Sequence, residues 1–228
     1  MKISNTTRNI ILLWLGWIII LLGFQTLVSA RLGVKQPDYA VFWSQYETLP
    51  SSSRGKIYLL EPFMNRQVAW DSEYYVGIAV GGYDDPKAGA VRNPATGLQV
   101  IKNYSFFPLY PYVMKALMVP LNIFSPNPIG SASLAGFIVS VLGTLVGMFA
   151  LWDLTKSIFS EEGRHRMLFY MLIFPTGFFF AMVYTEGLFI GLAFSSLALS
   201  KRKAWLWAAV LAMLATWTRA HGAVLALP

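Results

Sequence analysis

Residues 167–200 read MLFYMLIFPTGFFFAMVYTEGLFIGLAFSSLALS, a run in which Glu186 is the one acidic or basic side chain. Apolarity on every face suits a lipid solvent better than the half-wet surface of a soluble helix. The run is too long for one straight crossing, which takes about 20 residues. It is also interrupted twice, at Phe174-Pro175-Thr176-Gly177 and at Tyr184-Thr185-Glu186. Proline and glycine end helices, so the run predicts a hairpin of two short helices. Lys201-Arg202-Lys203 closes that hairpin, and residues 204–218 begin a further apolar segment that runs into Arg219, His221 and Gly222.

The flanking sequence has the same character. Residues 10–28 and 130–152 are clear candidate spans, and residues 1–30 are expected to be an uncleaved anchor, because the apolar run exceeds the ~7 to 15 residues of a signal-peptide core. Composition agrees: 56% of residues are hydrophobic and 13% charged, the latter about half the ~25% of a soluble domain. The chain has no cysteine, which rules out disulfides and thiolate chemistry. Its net charge of +7 is not arranged as a basic stripe interleaved with exposed aromatics, so nucleic acid is not an expected partner. The excess reads instead as membrane orientation. Lys2, Arg8, Lys156, Arg164, Arg166 and Lys201 to Lys203 outnumber Asp153, Glu161 and Glu162 in the segments that would face the cytoplasm.

Between the first two spans lies the polar segment 31–104, whose cations and carboxylates nearly balance, so it can stand outside. Turns are expected at Pro50 to Gly55 and at Gly81-Gly82-Tyr83-Asp84-Asp85-Pro86. Between them, residues 61–80 predict one interfacial helix with Phe63, Trp70, Tyr74 and Ile78 on its lipid side. Residues 105–124 are apolar enough to span but carry Pro108, Pro111, Lys115 and Pro120. The orientation needs them to lie at the interface or re-enter; a full crossing is the alternative. The expected fold class is all-α, a polytopic transmembrane helical bundle with a long external loop after the first span. It is one membrane domain over 1–228: anchor at 1–30, external loop at 31–104, bundle at 105–228, and the N-terminal part of something longer.

Candidate chemistry concentrates where this topology puts the outer face. Trp70-Asp71-Ser72-Glu73-Tyr74-Tyr75 places two carboxylates among aromatics, at a lowered dielectric that raises carboxylate basicity. Two readings stand. Asp71 either accepts backbone N–H bonds as a helix cap, with Glu73 a solvated first-turn charge, or the group binds a sugar, ring face against ring face and hydroxyl against carboxylate. The stretch Asn103-Tyr104-Ser105-Phe106-Phe107-Pro108-Leu109-Tyr110-Pro111 is either an aromatic belt at the membrane surface or part of that site. Glu186, an ionisable group amid apolar residues, calls for a partner or a function. Arg219 and His221 are its candidate partners, or ligands for an anionic group such as a lipid phosphate. Asp84-Asp85 lacks a third spaced ligand or a nearby histidine and reads as a turn, so no metal is expected.

In order along the chain stand Trp70-Asp71, Tyr75, Gly82-Tyr83; then Phe106-Phe107-Pro108, Pro111; then Pro175, Phe178-Phe179, Tyr184-Thr185-Glu186; then Arg219 and Gly222. The pattern of four blocks, WD-x-x-x-Y…GY, FFP-x-x-P, P-x-x-FF…Y-[ST]-E and R-x-x-G, resembles the PIG-V type mannosyltransferases (GPI mannosyltransferase 2-like) of the GT-C superfamily. That resemblance implies a GT-C-like bundle and an inverting transfer of a hexose, mannose above all, from polyprenyl- or dolichyl-phosphate. The acceptor would be a glycan, lipid or protein hydroxyl on the outer or lumenal face. It implies Asp71 as the catalytic carboxylate. Trp70, Glu73, Tyr74, Tyr75, Phe107, Tyr110, Tyr184, Glu186, Arg219 and His221 would be substrate-binding, with no cofactor beyond the lipid-linked donor. The chain departs from the pattern in His221, where asparagine is common, and in an insertion over 85–102 before the FFP block, which leaves the acceptor open. The location expected is a bacterial or archaeal plasma membrane rather than the endoplasmic reticulum. The rivals are a multi-pass transporter, which would show repeated halves, and a non-catalytic membrane subunit with the same fold.

Overall fold

A computed structural model describes residues 4–32, 62–68, 70–84, 90–92, 99–123 and 128–227. The described chain is helical apart from one short antiparallel ribbon that pairs Ala90–Arg92 (β1) with Gln99–Ile101 (β2). It divides into two compact units that interleave in sequence. The first comprises Met1–Arg31, Ser140–Ala181 and Thr185–Pro228; the second, Leu32–Val139 and Met182–Tyr184. The first division, between Arg31 and Leu32, falls beside the hydropathy boundary at 30.

Among the described residues, two helices are long and apolar enough to cross a membrane: α1 (Asn5–Leu32) and α5 (Pro128–Leu154). Both extend past the expected spans by several residues, because nothing breaks helix propensity at the polar ends. α1 leaves Leu12, Leu15, Ile19, Ile20, Phe24 and Leu27 exposed, which is a face for lipid or for other protein rather than for water.

In the first unit the expected run 167–200 forms two short helices. α6 (Glu161–Ile173) stops before Pro175, a 3-10 turn covers Gly177–Phe180, and α7 (Glu186–Lys201) starts at the second interruption. α6 begins earlier than hydropathy indicates because Ser160 caps it, its hydroxyl accepting from the Gly163 N–H, with Glu161 and Glu162 at the positive end of the helix. α8 (Trp205–Thr218) follows after a tight turn in which Lys203 takes φ +61°.

Glycines set the contact between α5 and α7. A Cβ on Gly143 would lie 2.6 Å from the Gly187 carbonyl oxygen, and one on Gly191 would lie 2.6 Å from that of Gly143. Gly143-x-x-x-Gly147 therefore interlocks with Gly187-x-x-x-Gly191, the small-residue spacing by which helices approach closely in lipid. Polar bonds gather the helix ends at one end of this unit. Lys201 reaches the Leu154 carbonyl and Ser157, Arg202 pairs with Asp153, and Thr6 of α1 donates to Glu161. The Trp14 indole donates to the Val141 carbonyl at 2.9 Å, tying α1 to α5.

The second unit corrects the single helix expected over 61–80. Two helices stand there, α2 (Pro62–Gln67) and α3 (Ser72–Gly81). They are separated at Trp70, whose φ of +48° is left-handed and cannot continue a right-handed helix. Nor is there a lipid face: Ile78 is fully buried, Phe63 packs edge-on to Phe137, and Tyr74 stacks on Phe106. α4 (Leu109–Leu121) is 13 residues long. At about 1.5 Å per residue it reaches about 20 Å, short of the ~30 Å hydrocarbon core. Pro111 lies in its first turn, where the missing N–H costs nothing, and Pro120 in its last. The expected turn at Pro50 to Gly55 lies outside the described residues.

Candidate functional site

The residues singled out in the sequence fall into two groups, one in each unit. In the second unit, Asp71 occupies the position just before α3. Its backbone is already helical (φ −62°, ψ −16°), and its side chain makes no capping hydrogen bond. The cap reading of Asp71 therefore fails, for a geometric reason: a capping side chain needs an extended backbone to swing back onto the N–H groups. The residue as a whole is exposed. The main chain is held from two directions. The Asp71 N–H donates to the Tyr184 hydroxyl at 3.1 Å, and the Asp71 carbonyl accepts from the N–H of Tyr74 at 3.0 Å. Trp70 before it, 50% exposed, carries the left-handed strain noted above. Backbone strain beside an exposed acidic residue whose main chain is held in place is the pattern found where geometry serves a site.

Behind Asp71 lies a set of rings. Tyr75 meets Phe106, Tyr110 and Tyr184 edge-to-face, with centroids 5.2, 5.3 and 6.2 Å away. Tyr110 is fully buried and donates its hydroxyl to the Gly136 carbonyl at 2.9 Å. Val183 joins the same unit by donating its N–H to the Gln67 carbonyl at 3.1 Å, which fixes where Tyr184 stands. So Tyr74, Tyr75, Tyr110 and Tyr184 are brought together, and the Tyr184 side chain meets the Asp71 backbone through its hydroxyl. Phe107 faces outward. Glu73 overturns the expectation of a solvated charge: it is 2% exposed. A helix packed on all sides buries its first turn as well, and Ser72 beside Glu73 is buried too.

In the first unit, Arg219 Nη1 donates to Glu186 Oε1, forming an ion pair with both side chains partly exposed. Oε2 of Glu186 is buried and takes no hydrogen bond among the described residues. Arg219 is presented by an extended residue between α8 and a 3-10 segment, Ala220–Ala226. That segment turns back so tightly that a Cβ on Gly222 would collide with the backbone of Thr216 and Ala215. The R-x-x-G spacing is thus a steric requirement: glycine three residues on lets the chain fold against α8 and hold the arginine at its end. His221 is exposed. Beside this segment, α7 and α8 border a groove of about 710 Å³, lined by apolar side chains such as Trp205, Met213 and Leu225 with Ser196 and Thr216 among them.

Features the sequence reading missed are the interlocked glycines, whose four-residue spacing was legible, and the role of Tyr83, Tyr104 and Tyr112. These tyrosines cluster only because residues 82–84 and 103–106 are bonded together. The Asn103 amide donates to the Gly82 carbonyl at 3.2 Å, the Tyr83 hydroxyl to the Phe106 carbonyl at 2.8 Å, and the Tyr104 hydroxyl to Asp84.

Among known proteins, the chain is similar to GPI mannosyltransferase 2 of Schizosaccharomyces pombe, 28% identical over 159 residues that cover 68% of this chain and 29% of the relative. The chain thus spans less than a third of that protein's length. No protein-family model matches the chain, and no solved structure does. The relative is eukaryotic, which gives no support to the expected bacterial or archaeal membrane.

Proposed function

We propose that this chain carries part of a membrane glycosyltransferase of the GT-C class. It transfers a hexose, mannose in the reading that the relative's name favours, from a polyprenyl- or dolichyl-phosphate donor to an acceptor hydroxyl. The observation that carries this reading is Asp71: a carboxylate next to strained Trp70, backbone fixed by Tyr184, and not engaged as a cap.

A sugar joined through its anomeric carbon to a phosphodiester has a good leaving group, so the step needs a base and a place for the departing phosphate. The acceptor O–H gives its proton to Asp71 as the oxygen attacks C1. The C1–O bond to phosphate breaks on the opposite face, the configuration inverts, and polyprenyl phosphate leaves with the bonding pair. General-base assistance of this kind contributes about 10² to 10⁴-fold. Trp70 and Tyr74 frame the sugar or acceptor, with the buried Tyr75, Glu73 and Tyr110 and the exposed Phe107 supporting them. In the first unit, and taken by itself, Arg219 has the charge and the planar donors to bind an anionic lipid group, aided by His221. Glu186 orients the arginine through one oxygen and keeps the other for a hydroxyl. The apolar groove between α7 and α8 suits a lipid chain.

The same reading orients the membrane domain as a polytopic bundle. The bonded, cation-rich helix ends of the first unit, at Thr6, Asp153, Glu161 and Lys201, face the cytoplasm. α4 does not cross, and the chemistry lies on the outer or lumenal side.

The test is Asp71→Asn in the full-length polypeptide, reconstituted into sealed vesicles with a polyprenyl-phosphate mannose donor and a membrane-impermeant acceptor outside. Wild type is expected to transfer. The asparagine variant should insert normally and lose at least about 10²-fold in turnover, or about 2.7 kcal/mol of transition-state stabilisation. Glu73→Gln should lose less than about 10-fold. Near-normal turnover by a folded Asp71→Asn protein ends the assignment. Absence of transfer by wild type favours a non-catalytic subunit.

A further inference from the structure

The insertion over 85–102 is flanked by an exposed aromatic surface. Tyr83 is the middle ring, with centroids 5.4 Å from Tyr104 and 6.2 Å from Tyr112. The two outer rings are largely open, Tyr104 56% and Tyr112 52% exposed. Tyr112 comes from α4, while Tyr83 follows α3 and Tyr104 lies in the 3-10 turn Lys102–Ser105, so three separate stretches of chain converge here. Asp84 sits at the rim and is exposed.

We propose that Tyr83, Tyr104, Tyr112 and Asp84 form a saccharide-binding platform that holds a sugar ring of the acceptor. The choice of a sugar as ligand rests on the glycosyltransferase reading above. Three features distinguish the platform from tyrosines that merely anchor a protein at a membrane surface. First, anchoring tyrosines offer their hydroxyls to water and headgroups, whereas those of Tyr83 and Tyr104 are turned onto protein acceptors, the Phe106 carbonyl and Asp84. The hydroxyl bonds thereby hold the rings in place, and the exposed area of Tyr104 and Tyr112 is aromatic surface against which the apolar side of a pyranose can pack. Second, a carboxylate at the rim repels the anionic headgroups that a surface anchor would meet, yet it is a strong acceptor for sugar hydroxyls. Third, the clamp is rigid: three side-chain bonds hold residues 82–84 against 103–106 at the two ends of the insertion. Binding to a surface already in place costs little ordering entropy. Both phenols also stay protonated well beyond neutral pH. Burial, together with neighbouring Tyr112, raises Tyr83 to about 12, and the hydrogen bond to Asp84 raises Tyr104.

Placement gives the platform a function. α3 separates it from Asp71 and spans 10 residues, about 15 Å at about 1.5 Å per residue. A sugar unit is shorter than that, so the platform would read an acceptor sugar beyond the one that is glycosylated. The insertion departs from the family pattern, and a subsite built at its base would set an acceptor preference peculiar to this chain.

The experiment uses the full-length protein in phosphatidylcholine nanodiscs, with methyl α-mannoside and mannobiose as probes, read by saturation-transfer NMR and by transfer kinetics. Tyr104→Ala and Tyr112→Ala should each weaken mannobiose binding about fivefold or more and raise the acceptor KM to match. Tyr104→Phe keeps the ring and should lose less. Asp84→Asn should weaken binding without altering how the protein partitions into lipid. Mannobiose binding by both alanine variants equal to wild type overturns the platform, as does an effect confined to membrane partition. The two readings fail separately. If wild type transfers sugar and both alanine variants keep its acceptor KM, the platform is wrong and the enzyme reading stands. If wild type does not transfer but binds mannobiose through these tyrosines, the enzyme reading is wrong and the platform stands.

Discussion

In the unit that carries Glu186, helices α5 and α7 meet glycine against backbone, whereas in the unit that carries Asp71, helices α3 and α4 meet ring against ring. The first style suits a lipid solvent. Lipid tails are as apolar as leucine, so helices gain little by hiding side chains from them and gain by close contact and by polar bonds. The second style suits a surface that meets water, where a tyrosine packs its ring and gives its hydroxyl to a carbonyl, as buried Tyr110 does to Gly136 and half-buried Tyr83 to Phe106. The difference implies different sensitivities. Added bulk should damage the first unit, and loss of a single hydroxyl should register in the second.

The largest expected effect is therefore steric. Gly187 faces the Ser140 and Phe180 carbonyls with no room for a Cβ. Backbone cannot yield as a flexible side chain can, so Gly187→Leu should cost about 3 kcal/mol or more of stability. Leu197→Ala, an exposed position on the same helix, should stay within about 1 kcal/mol. Equal melting temperatures for Gly187→Leu and wild type in detergent would refute glycine-mediated packing.

A smaller effect is expected at the Glu186–Arg219 ion pair, a charged contact between two apolar helices of the first unit. Glu186→Gln and Arg219→Gln each leave the other charge without its partner, at a cost of about 2 kcal/mol given partial exposure. The double variant should cost less than the sum by about 1 kcal/mol. Strict additivity would mean that the contact contributes nothing, and the comparison would then rest on glycine packing alone.

Legibility in the sequence divides along the same line. α1, α5 and the two short helices α6 and α7 are readable because long apolar segments are written in local hydropathy and ended by local breakers such as Pro175. The 61–80 region was misread because a helix buried on all sides shows the same rings at the same spacing as one lying on lipid. What covers Tyr74 and Phe63 is Phe106 and Phe137, too distant in sequence for any periodicity to report. The break at Trp70 was invisible for another reason: tryptophan carries no signal for a left-handed backbone, whereas Gly82, with φ +83° at the end of α3, does. At the candidate site, the Glu186 and Arg219 partnership followed from the cost of a lone charge in apolar surroundings. The burial of Glu73 did not follow from anything local.

The smallest expected effect tests the second unit at one atom. Tyr184→Phe removes the acceptor of the Asp71 N–H but keeps the ring that packs edge-on to Tyr75. Asp71 is exposed, so water can take over as acceptor, and the stability cost should be no more than about 1 kcal/mol. Tyr184→Ala, by contrast, would open a cavity among the rings, at about 3 kcal/mol or more. If the hydroxyl serves only to fix where Asp71 stands, the phenylalanine variant should lose about 3- to 10-fold in turnover, with donor and acceptor KM little changed and the pH profile of the base unshifted. A loss as large as that of Asp71→Asn would mean that Tyr184 itself touches the reacting atoms. Unchanged turnover would mean that the hydrogen bond is structural alone, and Asp71 would then depend for its placement on α3 and on the strained residue before it.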